Sequence, residues 1–234
     1  MIVGNGMLAR AFESYAKRED VLVFASGVSN SRETAPEAFA REVQLLETHR
    51  ERHPDAVLVY FSTCSILDHE LHHMPYVQHK IAQEARVAQH SRFHIFRLPQ
   101  VVGHSDNLHT LTNFFYYRLL KQEPITVWSE AERNLIDVAD VYRIAAQIID
   151  NRLLSNQSVN IAAPHNIRVA DVLAILSEVT ERAVSMTLEP GHQGSRYAID
   201  TAQVKPLMDG LGITFDEHYY FSVLRKYYGS STSN

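Results

Sequence analysis

Three continuous apolar runs, separated by longer segments of helical spacing, constrain the fold of this chain more than any other feature. They are "VLVFAS" from Val21, "AVLVYFS" from Ala56 and "FHIFRLPQVV" from Phe93, and "MIVG" at the start is a shorter fourth. Runs without polar alternation are the pattern of strands covered on both faces, which parallel sheets require. Between them, "GMLARAFESYAKRED" carries Met7, Leu8, Phe12 and Tyr15 at helical spacing. "PEAFAREVQLLETHRERH" carries Phe39, Val43 and Leu46 on one face, with Pro36 suited to its first turn. A helix from about Tyr76 to His90 precedes the last run. Strand, helix, strand, helix in this order predicts an α/β fold: right-handed crossovers and a parallel sheet with helices on both faces. Ligands of such sheets sit at the carboxyl ends of the strands.

The turn after the first strand reads Gly4-Asn5-Gly6-Met7-Leu8-Ala9, a G-x-G-x-x-A. Small residues there let the chain turn tightly and let a pyrophosphate approach a helix N-terminus. A strand before it and a helix after it supply the context that the motif needs. The run from Ala56 ends in Ser62-Thr63, and Tyr76 and Lys80 follow at i and i+4 on one helical face. An ammonium beside a phenol favours the phenolate and makes a Tyr usable as a proton donor or acceptor near neutral pH. A Thr63 hydroxyl at the neighbouring strand end can bond the same substrate oxygen. The competing reading has Tyr76 packed on the sheet and Lys80 as a solvated surface charge.

Composition narrows the partners. A length of 234 residues suits one large domain or one domain with a small lobe, and a formal charge of -5 argues against nucleic acid. No apolar run approaches the ~18 residues of a membrane span, and no signal peptide is read at the start. The lone Cys64 suits a reducing, cytoplasmic setting.

With these residues in place, the sequence resembles the short-chain dehydrogenase/reductase superfamily, in its extended branch of NAD-dependent epimerases and dehydratases that modify nucleotide-linked sugars. "VLVYFSTCSI", "FRLPQVVG", "RNLIDVADVYRIAAQII", "SVNIAAPHNIRVADVLAIL" and "GSRYAIDTAQVKPLMDGLGI" are similar to successive segments of that branch and together span most of the chain. The resemblance implies a Rossmann-like sheet with a small C-terminal substrate lobe. Residues 1–105 would form a shortened nucleotide-binding core, 106–228 the lobe with the remaining core elements, and 229–234 a disordered tail. It implies Thr63, Tyr76 and Lys80 as the catalytic trio, with NAD or NADP as cofactor. Gly4, Gly6, Met7 and Leu8 would lie against the pyrophosphate, Ser26 and Gly27 beside the adenosine, and Pro99, Gln100 and Val101 beside the nicotinamide; Tyr76 and Lys80 would also touch the cofactor. Arg133 and Arg196 would grip the substrate diphosphate, for which a forked guanidinium is suited. Asn113 is a further substrate candidate, and a homodimer is left open.

The departures from the family plan bear on function. Two strands that would carry the adenosine are absent between the first helix and "VLVFAS", about 40 residues by the size of a βαβ unit. The sheet should therefore be narrower than the family's, with the first strand near an edge. Asp20 stands where a ribose-binding acid is expected, but it precedes its strand instead of ending it and is given no such role. His69, His72, His73 and His79 are read as loop histidines near a nucleotide site, not as metal ligands, and Cys64 as a small strand-end residue. The aromatic run "NFFYYRLL" is read as core or as a contact face. Three functions stay open: an NAD(P)-dependent oxidoreductase or epimerase of a nucleotide-linked sugar, a binding or regulatory protein of the same fold that has lost turnover, and a structural subunit of a larger complex.

Overall fold

The computed structural model describes residues 1–190 and 198–229. Arg196, and the expected tail beyond Gly229, lie outside the described residues. In chain order the elements begin with β1 (Ile2–Val3), α1 (Met7–Ala11), β2 (Val21–Phe24), α2 (Pro36–Arg52), β3 (Val57–Thr63), α3 (Pro75–Val87) and β4 (Phe93–Leu98). They continue with β5 (Gln100–Val102), α4 (Leu111–Leu120), β6 (Ile125–Trp128), β7 (Glu132–Arg133), β8 (Leu135–Asp137) and α5 (Val138–Asp150). Last come β9 (Gln157–Asn160), β10 (Ile167–Arg168), α6 (Val169–Thr180), β11 (Met186–Glu189), α7 (Lys205–Gly210) and α8 (Tyr219–Tyr228).

The central sheet has five parallel strands in the order β1-β2-β3-β4-β9. It is the narrow sheet that the missing strands imply, and β1 is its edge. At two residues, β1 is short, which blunts the template for unwanted pairing that an edge offers. The apolar runs become the buried strands: Leu22, Val23, Leu58, Val59 and Tyr60 are 0% exposed.

Side chains alternate between two separate cores, as the strand period requires. Val21, Val23, Val59, Phe61 and Phe96 face Phe12 and Tyr15 and the apolar stripe of α5, including Val141, Ile144 and Ile148. Leu22, Phe24, Leu58, Tyr60 and Ile95 face Leu46 of α2 and Val87 of α3. A third core packs α4, α6 and α8 around β6 and β8 as the lobe.

Two sequence expectations change here. "FHIFRLPQVV" is not one strand: Pro99, which has no N–H for a ladder, ends β4, and β5 leaves the sheet to pair with β8. The crossovers also cannot all be right-handed. The strand order advances in one direction from β1 to β4, yet α1 lies on one face and α2 and α3 on the other. The connection through α1 therefore has the opposite hand to those through α2 and α3. Removing two strands beyond β1 makes the β1–α1 unit step toward β2 instead of away from it, and this reverses its hand.

Candidate active site

The loops leaving β1, β2, β3 and β4 at their carboxyl ends enclose a cleft of about 670 Å³. The turn at Gly4 has φ +123°, and a Cβ there would stand 2.5 Å from the Ala25 carbonyl oxygen, so only glycine fits. A Cβ at Gly6 would meet nothing within 4 Å, which leaves open space against the backbone at the start of α1. Met7 and Leu8 of α1 line the same end of the cleft, as do Ser26 and Gly27 after β2. Pro99, Gln100 and Val101, where β4 breaks into β5, line it farther along.

Thr63, Tyr76 and Lys80 converge in this cleft. Pro75 opens α3, so Tyr76 is in its first turn and Lys80 one turn on, with both side chains toward the sheet. Tyr76 is 8% exposed and Lys80 2% exposed. The Lys80 ammonium lies 5.9 Å from the centre of the Tyr76 ring. Lys80 is thus no solvated surface charge. The Thr63 hydroxyl accepts from the Ser65 N–H at 3.1 Å and donates to the Ser65 hydroxyl at 3.1 Å, which caps the short turn after β3.

Beneath this trio is a carboxylate that the sequence reading missed. Glu42 of α2 is 0% exposed and accepts four hydrogen bonds. Its Oε1 takes the Tyr60 hydroxyl at 2.6 Å and the Lys80 ammonium at 3.1 Å. Its Oε2 takes the Val28 N–H at 2.6 Å and His79 Nε2 at 3.0 Å. The Tyr60 hydroxyl accepts a second Lys80 bond at 2.9 Å. Burial alone would raise the Glu42 pKa, but the donors from His79, Lys80, Tyr60 and Val28 outweigh it and hold the carboxyl well below its usual range. Burial lowers the Lys80 pKa, against the raising pull of Glu42. Gly27 is packed onto the same pair: a Cβ there would stand 2.8 Å from Lys80 Nζ and 3.0 Å from Glu42 Oε1. One sequence signal did mark Glu42. It falls on the Phe39–Leu46 stripe, where a charge is out of place unless it is paired.

The substrate candidates divide. Arg133 of β7 lines the cleft, and its guanidinium donates to the Glu132 carbonyl at 2.6 Å. Asn113 is not among the residues that line it. Its amide donates to the Ser105 and Asn107 carbonyls at 2.8 and 2.9 Å and accepts from the Tyr228 hydroxyl at 2.7 Å. Asn113 therefore shapes the loop whose Ser105, Asn107 and His109 form one cleft wall. Asn134, also missed, joins the wall to the end of the sheet, pairing with the Ala163 backbone at 2.8 and 3.0 Å.

The other conspicuous residues have structural partners. His72 bonds the Ile66 carbonyl at 2.7 Å, and His79 stacks on Phe39. Among the described residues no three His, Cys, Asp or Glu side chains come together to hold a metal ion. Burial pushes the Cys64 thiol up to about 12. Asp20 pairs with Arg18 at 2.6 Å at the opposite end of β2 from the cleft. Of the aromatic run, Phe115 is core, whereas Phe114 and Tyr117 are 44% and 40% exposed. No helix among the described residues is long and apolar enough to cross a membrane.

The sequence matches the model of a family described as the NAD dependent epimerase/dehydratase family over residues 5–162. No curated protein matches it. Among solved structures, the fold is similar to the epimerase Mth375 of Methanothermobacter thermautotrophicus, with a TM-score of 0.73 and 16% identity, covering 96% of this chain and 76% of that one. It is also similar to a Thermus thermophilus UDP-glucose 4-epimerase in complex with NAD, with a TM-score of 0.68 and 15% identity, over 94% of this chain and 81% of that one. RMD from Pseudomonas aeruginosa, complexed with NADPH, aligns with a TM-score of 0.65 and 16% identity over 88% of this chain and 79% of that one.

Proposed function

The chain belongs to the NAD-dependent epimerase/dehydratase family, and from that premise we propose that it acts on a nucleotide-linked sugar with NAD or NADP, using Tyr76 as the acid–base group. The observation that carries this reading is the convergence of Thr63, Tyr76 and Lys80 with the Gly4–Leu8 turn in one cleft. The dinucleotide fits the residues present: the open space above Gly6 is a cradle that any larger residue would fill.

When bound, the cofactor supplies a hydride acceptor or donor. The protein's part is positional and protonic. Tyr76 Oη takes a proton from the sugar hydroxyl during oxidation and returns one during reduction. Thr63 Oγ1 turns from Ser65 to bond the same oxygen. Lys80 has three N–H donors, of which Glu42 and Tyr60 take two, so one remains to reach a ribose hydroxyl. Its charge favours the Tyr76 phenolate, and Glu42 moderates that effect. Arg133, which lines the cleft, is the described guanidinium suited to hold the diphosphate.

A second reading is favoured by the Lys80–Glu42 pair and the shortened nucleotide half: a nucleotide-sugar-binding protein of the same fold without turnover. Titration with NADH and NADPH, followed by fluorescence and by melting temperature, tests the cofactor that the first reading requires. Hydride transfer in a panel of nucleotide-sugars then separates them. Dinucleotide binding with turnover of one sugar is expected. Binding of a nucleotide-sugar with no turnover on any member leaves the second reading, and failure to bind any dinucleotide overturns the first.

A further inference from the structure

Tyr76 sits among apolar neighbours: Val28 after β2, Phe39 of α2, and Leu71 and Met74 in the loop before α3. Its proton state is therefore set by the few charges within reach. The nearest is the Lys80 ammonium, 5.9 Å from the ring centre. Glu42 Oε1 is 3.1 Å from that ammonium, so it stands at most 3.1 Å farther from the ring. The two side chains are 3% and 0% exposed, so salt and water screen neither. A Coulomb interaction falls only as the inverse of distance. An anion so close behind the ammonium thus cancels more than half of its pull on the phenol.

The other groups around the pair do not restore that pull. Tyr60 of β3 brings no charge: burial, and then the Glu42 carboxylate, holds its phenol protonated well above the usual range. Glu84, one turn beyond Lys80 on α3, is closed by both arms of the Arg97 guanidinium from β4 at 2.9 and 2.6 Å, a pair without net charge. His79 meets Glu42 Oε2 at 3.0 Å, and since a carboxylate only accepts, the neutral Nε2–H tautomer suffices for that bond. Arg32, Arg41, His109, Glu132 and Arg133 also line the cleft, but none of them is buried, so water screens them.

We propose that Glu42 is a positioning residue for the reaction: acting through Lys80, it keeps the Tyr76 hydroxyl protonated at neutral pH and so adapts the site to reducing a carbonyl. The proposal rests on the functional reading above and gives it a direction. The carbonyl carbon of a keto-sugar takes the hydride of the reduced dinucleotide, the π pair moves to oxygen, and that oxygen takes the Tyr76 proton. The sugar is reduced, the dinucleotide is oxidised, and bulk water returns a proton to the phenolate. A site built to begin by oxidising a hydroxyl needs the phenolate first, which an uncompensated Lys80 would favour.

The titration of Tyr76 is read by ultraviolet difference absorbance, each chain against its own Tyr76→Phe version, with circular dichroism confirming the fold at every pH. Glu42→Gln is expected to move the titration down by at least about one pH unit, a tenfold change in the ionisation constant. Glu42→Gln/Lys80→Met, which removes both charges and decides the matter if the single variant does not fold, is expected to titrate within about one unit of wild type. A double variant farther above wild type than that means that Lys80 acts uncancelled, and it overturns the inference. A folded Glu42→Gln that titrates as wild type does overturns it too, and leaves Glu42 a structural role alone. On a panel of keto nucleotide-sugars with NADH or NADPH, the rate of reduction is expected to fall as pH rises through the Tyr76 titration; a rate that rises there overturns the direction. If neither dinucleotide binds, the functional reading fails and the direction with it, while the titration by itself still decides what Glu42 does to Tyr76.

Discussion

Tyr76 is the residue on which the proposed chemistry turns, and its hydroxyl can be removed alone. Tyr76→Phe is expected to lower turnover by ~10²–10⁴-fold while dinucleotide affinity and melting temperature hold; activity within a few-fold of wild type on a genuine substrate would sink the assignment. Glu42 is tested by stability. Glu42→Gln leaves the Lys80 ammonium buried without its counter-charge, and urea denaturation should show a loss of ~3–5 kcal/mol. Pairing it with Lys80→Met should recover part of that loss, which a mere packing defect at Glu42 would not allow. The carboxyl has a lowered pKa in the folded state, so its contribution to stability is present above the unfolded carboxyl pKa of about 4.3 and is lost as pH falls below it. Wild type should lose stability over that acid range more steeply than the double variant, in denaturant midpoints measured from pH 6 to pH ~3. Cys64, buried and with its thiol pKa pushed up to about 12, should resist thiol reagents at neutral pH until the chain unfolds. The spacing of Tyr76 and Lys80 was legible because a helix turns a sequence interval into a shared face. The Glu42 partnership was not, because its partners come from β3, α3 and the loop after β2, and no local interval encodes that meeting.

At the scale of elements, two glycines of the cleft separate shape from space. Gly27→Ala puts a methyl into the Lys80–Glu42 contact and should destabilise by ~1–3 kcal/mol and weaken dinucleotide binding together. Gly6→Ala meets nothing in the protein and should stay within ~0.5 kcal/mol of wild type in stability, yet weaken the dinucleotide by filling its cradle. Parallel denaturation and NADPH titrations compare them. If Gly6→Ala binds dinucleotide as wild type does, the turn is only a turn. The buried strands were readable because continuous apolar runs have few other uses in a chain of this composition. Pro99 signalled the break between β4 and β5, but the run on both sides of it is apolar enough to hide the change of partner. The helical pattern through Tyr15 contains a short α1 and then a single 3-10 turn at Glu13–Tyr15. Both place their apolar side chains on one core, so periodicity alone did not separate them. The hand of the β1–α1 connection was out of reach of local pattern altogether, since it depends on which strand lies beyond β1.

At the scale of the whole molecule, the chain has a five-stranded parallel sheet with β1 at its edge, and lacks the two strands that its family's plan places beyond it. The absent strands could be inferred from order alone, because "GMLARAF" runs so soon into "VLVFAS". The two faces of the sheet differ in another way, one that concerns time instead of geometry. The core between the sheet and helices α2 and α3 draws its buried residues from Val3 to Ile95 and is complete once the first four strands exist. The opposite core cannot close until α5 arrives, and it also needs Val204, Met208 and Ile213. During synthesis the first four strands can pair in the order in which they emerge, each beside its predecessor, while Val59, Phe61 and Phe96 on the other face await their cover. A chain stopped near residue 105 should accordingly be half a native protein: α/β in circular dichroism, bright with a hydrophobic dye, and prone to aggregate. Nascent copies of this protein should thus pass through a stretch of elongation in which one side is finished and the other is adhesive, and chaperone demand should peak there, fall as the α5 segment clears the ribosome and end only after Ile213 has followed it.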